Sequence, residues 1–418
     1  MNPRWEVRMI EVLVIADDLT GALDAAAPFI GAGAEVRTAA PDDLRFEELD
    51  TCVRVLSVNA ATRHLDASEA RECIASLVRS AVAAGVPYIV KKTDSVLRGN
   101  VGAELEGALA AHPSAHLEFY PSLPSMGRVT VGGVHCVDGV PVAQSAFADD
   151  PFEPVVCSRV DDIIALQSDV AVVSAACAHA VADRKAVVVH DAATDEELAG
   201  SVRGAVAGGA ALFAGCSGVV SALAEALGVP AAPQVARDAR APVLAFCGSV
   251  NPVSVGQCAC AREQGVPTFD VAAASVLDVR WTESAAFAEL ARGLRSALGS
   301  SSLVVVDASV RATEAELAAA GVAPGEQARA LTAANLGAMA AKLATSTRVP
   351  TLLVMGGDVL LALLEGAGCA CVRMEAQIAP GVVVSFVELE GMPLHIVSKS
   401  GGFGDRDLFT HVAELLNK

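Results

Sequence analysis

The sequence predicts an α/β fold of two domains, each a mainly parallel sheet flanked by helices, with a cleft between the domains. Short apolar runs of strand type alternate with helical patterns along most of the 418 residues, as in βαβ units. The chain is also long for one domain. A proline-rich stretch over residues 230–242 is typical of a linker, so we expect domains over residues 1–232 and 240–418.

Composition and charge narrow the classes of ligand. Hydrophobic residues make up 53% of the chain, which is ample for two large cores. The formal net charge of -19 argues against sequence-independent binding to nucleic acid or to an anionic membrane. We therefore expect no nucleic acid and no membrane as partners. An anionic small molecule would need a local basic patch.

The N-terminal segment and the cysteines indicate a cytoplasmic protein. Glu6, Arg8 and Glu11 precede the first apolar run, so no secretory leader is expected. The longest uncharged stretch, residues 204–224, is rich in glycine and alanine and is interpreted as strand, turn and helix rather than a membrane span. Eleven cysteines without regular spacing are interpreted as buried thiols, and no metal site is expected.

The first predicted strand, residues 12–16, ends at two adjacent acids, Asp17 and Asp18. A helix is predicted to follow over residues 22–30. Acids at the carboxyl end of a strand are typical of an active-site edge in an open α/β sheet. The alternative is that one acid only caps the helix. Because a cap needs one carboxylate, the pair favours a functional site.

The most basic part of the N-terminal half follows a later strand. Strands are predicted over residues 53–58, 88–90, 117–120, 170–174, 186–190 and 211–214, and helices over residues 68–84, with Ser68 as N-cap, and 101–111. Residues 91–98 contain two lysines, an arginine, an aspartate and a serine, which suit an acidic, hydroxylated ligand. A solvated strand end is the alternative. Residues 121–138 are predicted to be a loop.

Three strand–glycine–helix junctions distinguish the C-terminal half. They follow predicted strands over residues 243–247, 351–355 and 394–397, and they contain Gly248-Ser249, Gly356-Gly357-Asp358 and Lys399-Ser400-Gly401-Gly402. Asn251 as N-cap and Pro252 at the first helical position strengthen the first junction. Such junctions present backbone N–H groups to anions. Three of them at the carboxyl ends of parallel strands predict a nucleotide site, although none has the Walker P-loop spacing.

Short motifs extend along nearly the whole chain in a specific order. In the N-terminal half they are Ala16-Asp17-Asp18-Leu19-Thr20-Gly21-Ala22, Lys91-Lys92-Thr93-Asp94-Ser95, Leu97-Arg98-Gly99-Asn100 and Gly132-Gly133-Val134-His135. In the C-terminal half they are Gly248-Ser249, Gly356-Gly357-Asp358, Ile378-Ala379-Pro380-Gly381 and Lys399-Ser400-Gly401-Gly402-Phe403-Gly404. Together they resemble the four-carbon acid sugar kinase family, and the Leu-Arg-Gly-Asn form is closer to its D-threonate kinase-like branch.

The resemblance implies an N-terminal sugar-acid-binding domain and a C-terminal nucleotide-binding domain. The γ-phosphoryl group of ATP would pass to the terminal hydroxyl of a tetronate such as D-threonate or D-erythronate, with Mg²⁺ carried mainly by the nucleotide. Two positions depart from the family: Val96 stands where threonine or serine is usual, and Val359 where threonine is usual. Each valine removes a hydrogen bond worth about 0.5–1.5 kcal/mol. Val96 therefore bears on the substrate and Val359 on the nucleotide contacts.

Phosphoryl transfer needs alignment and charge neutralisation more than covalent chemistry. The catalytic candidates, one of which would accept the proton of the attacking hydroxyl, are Asp18 and Asp94. The substrate-binding candidates are Asp17, Arg63, Lys92, Ser95 and Arg98. The nucleotide-binding candidates are Gly248, Ser249, Gly356, Gly357, Asp358, Lys399, Gly401 and Gly402.

Two other functions are weighed against the kinase. A non-catalytic relative would bind a sugar acid or nucleotide without turnover. A dinucleotide-dependent dehydrogenase is disfavoured, because the first strand lacks G-x-G-x-x-G and its two acids would repel a pyrophosphate. The expected partners are a small sugar acid and ATP. The sequence does not set the oligomeric state, and a homodimer is compatible with it.

Overall fold

The computed structural model describes residues 10–37, 44, 46, 53–150, 153–181, 184–399 and 402–417. The chain divides into two compact units, Met1–Ala232 and Pro233–Lys418. We call them the N-terminal unit and the C-terminal unit and describe each by itself. Both have a mainly parallel sheet with flanking helices, which confirms the predicted fold class.

The N-terminal unit alternates strands and helices. Its strands are β1 Val12–Ala16, β2 Ala34–Arg37, β3 Val55–Asn59, β4 Tyr88–Lys92, β5 His116–Tyr120, β6 Arg128–Val131, β7 Val134–Val137, β8 Val140–Pro141, β9 Val172–Ser174, β10 Ala186–Val189 and β11 Leu212–Gly215. Its α-helices are α1 Leu19–Ala26, α2 Ala67–Ala83, α3 Val101–Ala111, α4 Val160–Ala165, α5 Asp195–Ala207 and α6 Ser217–Ala226. Turns of 3₁₀-helix cover Ala27–Ala32, Pro124–Met126, Val142–Gln144, Ala146–Asp149 and Ala175–Val181.

Eight of these strands form one parallel sheet in the order β2-β3-β1-β4-β11-β5-β10-β9. The strands β1, β3 and β11 are buried along their whole length, as expected for a parallel sheet covered on both faces. One apolar core joins Leu13 and Leu56 of the sheet to Ile74 of α2 and Leu105 of α3. This core holds the strands in place, and with them the sheet edge that their carboxyl ends form.

A small antiparallel sheet, β6-β7-β8, lies where the sequence predicts a loop over residues 121–138, so that prediction is wrong. Its strands have two to four residues, too few for a clear apolar run. The missed signal is the glycine pair between Val131 and Val134, which pair with each other. Gly132 and Gly133 have φ of 59° and 73°, as a two-residue hairpin turn requires.

The C-terminal unit also alternates strands and helices before it ends in a meander. Its strands are β12 Val243–Cys247, β13 Thr268–Asp270, β14 Leu303–Asp307, β15 Thr351–Met355, β16 Cys371–Ala379, β17 Val382–Leu389 and β18 Met392–Lys399. Its α-helices are α7 Pro252–Glu263, α8 Ala273–Leu277, α9 Ala285–Leu298, α10 Glu314–Ala319, α11 Glu326–Thr347, α12 Gly357–Gly366 and α13 Leu408–Leu416, and a 3₁₀ turn covers Trp281–Glu283.

The sheet of the C-terminal unit has the order β13-β14-β12-β15-β18-β17-β16. The first five strands are parallel, whereas β17 and β16 are antiparallel to their neighbours. The sequence predicts only residues 394–397 of this meander and misses β16 and β17. Alternating burial along β16 shows that the period of two was present in the sequence.

The starts of two helices test the predicted caps. Asp66, not Ser68, caps α2, because Asp66 Oδ1 accepts the backbone N–H of Glu69 at 2.8 Å and Ser68 lies inside the helix. Asn251 caps α7 as predicted: its side chain accepts the N–H of Val253 at 3.0 Å.

The uncharged stretch over residues 204–224 forms the end of α5, then β11 and most of α6. This confirms the predicted strand, turn and helix. Across the described residues, no helix combines the length and the apolar character needed to cross a bilayer.

Candidate active site

Three neighbouring strands of the N-terminal unit end at the same level. β1 lies between β3 and β4, and Ala16 aligns with Asn59 on one side and Lys92 on the other. The residues that follow these strands therefore share one edge of the sheet, where ligands of open α/β sheets bind. The fold thus brings the Asp17-Asp18 pair to the polar run over residues 91–98.

Arg63 lies at the centre of this edge. Its guanidinium contacts three carboxylates: Nε lies 2.8 Å from Asp17 Oδ2, Nη1 2.5 Å from Asp18 Oδ2, and Nη2 3.7 Å from Asp94 Oδ1. Burial opposes the charge, but the three carboxylates outweigh it and raise the pKa of Arg63 well above its ordinary value. Arg63 is therefore a permanent cation that holds three acids together.

Asp94 is bound even more tightly. Arg98 donates to it twice, from Nη2 to Oδ1 at 2.8 Å and from Nε to Oδ2 at 3.1 Å, and the backbone N–H of Val96 donates to Oδ2 at 3.1 Å. Although burial opposes ionisation, Arg98 and Arg63 hold the pKa of Asp94 well below its usual range. We call Asp17, Asp18, Arg63, Asp94 and Arg98 the Arg63 cluster.

Asp18 caps the helix, as one alternative for the acid pair predicts, and it also contacts Arg63. Its Oδ1 accepts the backbone N–H of Gly21 at 2.6 Å and so caps α1, while its Oδ2 contacts Arg63. The side chain of Asp18 is 29% exposed, compared with 4% for Asp17 and 8% for Asp94. Asp18 is therefore the carboxylate of the cluster that a ligand reaches most easily.

The two lysines of β4 differ in position because successive side chains of a strand point to opposite faces. The ammonium of Lys92 approaches α1: a Cβ at Gly21 would lie 2.8 Å from Lys92 Nζ and 2.6 Å from Asp18 Oδ1. Burial disfavours the charge of Lys92, but the three aspartates of the cluster raise its pKa. Lys92 stays a cation beside the carboxylates.

Lys91 is fully buried and cannot serve a ligand as the sequence suggests. Its Nζ contacts Glu104 Oε2 at 2.9 Å and donates to the carbonyl of Lys92 at 2.6 Å. The hydroxyl of Thr62 donates to the other oxygen of Glu104. Burial raises the pKa of Glu104. No local sequence pattern marks Glu104 as the partner of Lys91, although the alternation of side chains along β4 already separates Lys91 from Lys92.

Two buried oxygens at the edge have no hydrogen-bond partner in the part of the chain that the structure describes: Asp17 Oδ1 and Thr93 Oγ1. Asp17 directly follows Ala16 of β1, and Thr93 directly follows Lys92 of β4, which is aligned with Ala16. Buried polar groups are nearly always paired, so these two atoms mark a place where packing alone leaves donors and acceptors unused.

Ser95 and Val96 lie beside the cluster in different ways. The carbonyl of Ser95 is 3.0 Å from Nε2 of His135, which is fully buried, so His135 supports the loop. The side chain of Val96 is 1% exposed and belongs to an apolar cluster with Val137, Val142 and Val155. Valine at this position therefore fills a packed site, which gives a physical reason for the departure from the family pattern.

The glycine junctions of the C-terminal unit also converge. β15 lies between β12 and β18, and Met355 aligns with Cys247 and with Lys399. Gly248 and Gly356 therefore begin at the level of one sheet edge where β18 also ends at Lys399, which confirms the predicted convergence of these strand ends. Gly401 lies outside the described residues, and Gly402 is exposed.

Two of these glycines are required for different reasons. Gly356 has φ of 112°, which side-chain-bearing residues rarely adopt. At Gly248 the obstacle is space, because a Cβ there would lie 2.8 Å from Cγ2 of Val359. Val359, which is 3% exposed, thus packs against the first junction. Its methyl group fills the space where the family usually has a hydroxyl.

The remaining predicted nucleotide residues differ in exposure. Gly357 is the first residue of α12, and Ser249 is half-buried ahead of α7. The side chain of Asp358 is 57% exposed and contacts Arg329 at 3.0 Å. The first turns of α7 and α12 leave backbone N–H groups without helical partners, as helix starts do. They form a surface suited to an anion.

Lys399 is only 1% exposed. Its Nζ donates to Ser254 Oγ at 2.7 Å and to Gln257 Oε1 at 2.9 Å, both on α7. Gln257 in turn donates to the carbonyls of Phe403, Gly404 and Asp405 at 2.9–3.2 Å. Gln257, which no sequence motif marks, thus connects α7 to the third glycine loop. Contact between Lys399 and a phosphate stays a prediction.

Comparison with known protein families decides the assignment. A family model described as a sugar-binding N-terminal domain matches residues 12–223, more than half of the chain, and one described as a nucleotide-binding C-terminal domain matches residues 244–409. The chain belongs to the four-carbon acid sugar kinase family. The Arg63 cluster lies in the segment matched as sugar-binding, and the first two glycine junctions lie in the segment matched as nucleotide-binding.

The similarity to curated relatives covers nearly the whole length of this chain. The chain is 28% identical to a D-threonate kinase of Salmonella typhimurium, over 94% of this chain and 96% of the relative. It is 27% identical to a D-erythronate kinase of Heliobacterium modesticaldum, over 96% and 95%, and 29% identical to a 3-oxo-tetronate kinase of Cupriavidus necator, over 94% and 94%. These similar identities support a kinase of sugar acids without distinguishing among the three acids.

Solved structures support the fold of this family member. A crystal structure from Salmonella typhimurium LT2 has a TM-score of 0.77 at 23% identity and covers 97% of this chain and 99% of that chain. One from Haemophilus influenzae has a TM-score of 0.70 at 20% identity, with the same coverage.

Proposed function

We propose that the chain is an ATP-dependent kinase that phosphorylates the terminal hydroxyl of a four-carbon sugar acid, namely D-threonate, D-erythronate or a related tetronate. The observation that carries the proposal is the Arg63 cluster, where permanent cations and carboxylates share one sheet edge. A sugar acid has one carboxylate and several hydroxyls, so it needs a cation and several acceptors in a fixed arrangement.

Lys92 is the proposed partner of the substrate carboxylate. The guanidinium of Arg98 is shared between Asp94 and Asp150, and that of Arg63 contacts three acids. Among the described residues, the Lys92 ammonium makes no hydrogen bond, so it has donors available. Arg63 and Arg98 then orient the acceptors, and the unpaired oxygens of Asp17 and Thr93 are candidates for the substrate hydroxyls.

Asp18 is the proposed acceptor of the proton from the attacking hydroxyl. A general base is effective when its pKa is not far below the working pH, and the Arg98 pair and backbone N–H bonds make Asp94 a weak base. Asp18 is more exposed and contacts one arginine, whereas Asp94 contacts two. Asp94 would instead position Arg98 and Arg63.

The nucleotide is proposed to bind at the glycine junctions of the C-terminal unit. Its phosphates would accept hydrogen bonds from the N–H groups at the starts of α7 and α12, near Ser249 and Gly357. Mg²⁺ carried by ATP supplies charge neutralisation, and the exposed carboxylate of Asp358 is the kind of oxygen ligand that this ion prefers. The interdomain cleft stays a prediction.

A coupled assay of ADP release over a panel of four- and five-carbon sugar acids tests this function. We expect turnover that requires ATP, Mg²⁺ and a tetronate. Asp18→Asn should lower kcat by about 10²–10⁴-fold with a smaller change in KM, as for the loss of a general base. Lys92→Met should mainly raise the KM for the acid.

A folded protein that binds a tetronate and ATP in calorimetry, but releases no ADP with any acid, would be a non-catalytic relative. An Asp18→Asn variant with unchanged kcat would exclude Asp18 as the base while leaving the kinase assignment intact. The two failures are therefore distinguishable.

A further inference from the structure

Three side chains of metal-ligand type meet in the C-terminal unit outside the Arg63 cluster. Cys247 is the last residue of β12, and Asp307 is the last residue of β14. The two residues are aligned in the parallel pairing of these strands, and Cys258 lies on α7. One ligand atom of each, the two Sγ atoms and a carboxylate oxygen, lie within 4.8 Å of one another. Neither thiol is in a disulfide.

The surroundings of this group are those of a built site. Cys247 and Cys258 are 0% and 1% exposed. The carboxylate of Asp307 is partly exposed at 18% and contacts Nη2 of Arg262 at 3.4 Å. Arg262 lies one turn beyond Cys258 on α7 and also contacts Asp270 at 2.8 Å. Ser309 holds the Asp307 carboxylate more closely, because it donates to Oδ1 from Oγ at 2.5 Å and from its backbone N–H at 3.2 Å. Such hydrogen bonding of a ligating carboxylate is typical of metal sites.

We propose that Cys247, Cys258 and Asp307 form a binding site for a thiophilic divalent cation of the Zn²⁺ class. Two thiolates and a carboxylate are ligands for zinc, whereas Mg²⁺ and Ca²⁺ bind oxygen atoms only. The three ligands carry a formal charge of about -3, of which the cation neutralises two. Tetrahedral coordination leaves a fourth position for water.

The expectation of no metal site rests on the irregular spacing of the cysteines. Cys247 and Cys258 are separated by the glycine junction and the start of α7, and Asp307 comes from another strand. The parallel register of β12 and β14 brings Cys247 beside Asp307, and α7 adds Cys258. A cation here would join α7 to both strands, directly beneath the first glycine junction. This inference does not depend on the proposed kinase activity.

Titration of the full chain with Co²⁺ tests the site. The protein is reduced, stripped with a chelator and titrated with Co²⁺, which gives a thiolate-to-cobalt absorption band when cysteine coordinates it. We expect one Co²⁺ per chain with this band, displacement by Zn²⁺, and a higher melting temperature with Zn²⁺ bound. Cys258→Ser should weaken Co²⁺ binding by more than the roughly 10–100-fold typical of losing a second-layer partner.

Cys260→Ser is the matched control, since Cys260 lies two residues further on α7, is 7% exposed and is not part of the group. It should keep the band and the affinity. Cys247→Ser and Asp307→Asn repeat the test if Cys258→Ser does not fold. Absence of a thiolate band in the reduced wild-type protein overturns the proposal. An equal loss of Co²⁺ affinity in Cys260→Ser also overturns it. The same holds if Cys247 and Cys258 are found in a disulfide and the protein still binds no metal once that disulfide is reduced.

Discussion

The two units place their candidate ligand-binding groups at the same kind of location, the carboxyl ends of parallel strands, but the chemistry of the two sets differs. The edge of the N-terminal unit is filled with charged side chains that hold one another, with Arg63 between three acids. The edge of the C-terminal unit has glycines and helix starts, and its lysine is buried under α7. One edge is built from side-chain charge and the other from backbone.

The two edges should be sensitive to different kinds of substitution. A network of buried ion pairs fails when one charge is removed, because the partners keep their charges without compensation. A backbone site has few charges to lose and fails when a Cβ is added. Each edge should therefore be sensitive to a change that leaves the other unaffected.

Removal of the central cation should have the largest effect. Arg63→Met leaves Asp17, Asp18 and Asp94 close together without their shared arginine, so we expect a loss of about 3–5 kcal/mol in the free energy of unfolding and no detectable turnover. Urea titrations measure the stability. Arg159→Met removes an exposed ion pair with Asp161 and should cost less than about 1 kcal/mol. Similar costs for the two variants would refute the ion-pair network as a stabilising feature.

Adding a methyl group at Gly356, in the second glycine junction, should have a smaller effect on stability but a specific effect on nucleotide binding. Gly356→Ala forces a side chain onto φ of 112°, which costs about 1–3 kcal/mol, and it should weaken nucleotide binding in calorimetry. Gly366→Ala at the end of the same helix meets nothing within 4 Å and is the control. Unaltered nucleotide affinity in Gly356→Ala would show that this junction does not contact the nucleotide.

Low pH should reduce the stability that the Arg63 cluster gives to the N-terminal unit. The pKa of Asp94 is depressed in the folded chain. When the pH falls below the ordinary pKa of this carboxyl, 3.8, the unfolded chain therefore binds a proton that the folded chain does not. The stability that Asp94 contributes is therefore complete above about pH 4 and is lost as pH falls further, by up to about 1.4 kcal/mol per pH unit. Asp94→Asn should flatten this slope in urea titrations, and Asp169→Asn, at an exposed position, should leave it. An unchanged slope in Asp94→Asn would contradict the depressed pKa.

The smallest effect concerns a helix glycine. Gly200→Ala on α5 meets open space, so it should stabilise the chain by about 0.5–1 kcal/mol. Gly21→Ala on α1 should not, since its Cβ would displace Asp18 and Lys92. We expect it to raise the KM for the sugar acid. A stability gain equal to that of Gly200→Ala, with unchanged KM, would show that the three groups are not closely packed in solution.

Much of this organisation is predictable because it is local. A strand followed by acids or glycines is visible in the sequence, and parallel register then brings such strand ends together, as it does for Ala16 and Lys92. The period of two also predicts that Lys91 and Lys92 face opposite ways, although the composition of the run suggests a shared role. Local patterns therefore account for both edges in outline.

The parts that escaped prediction depend on contacts between distant residues. The hairpin of β6 and β7 is the local exception: its strands carry too little apolar surface to be recognised alone, and they are stabilised by pairing with each other. Glu104 acquires its importance only from the burial of Lys91 against it. The grouping of Cys247, Cys258 and Asp307 arises from three elements, so no spacing rule for consecutive ligands finds it.

Asp18 connects ligand chemistry to the first turn of α1. The carboxylate that contacts Arg63 also holds the Gly21 amide at 2.6 Å. A bound hydroxyl that draws Asp18 towards itself must loosen this cap, and deuterium uptake at the Gly21 amide would then increase. We therefore expect exchange at this one amide to report an occupied site, even with an acid that is never phosphorylated.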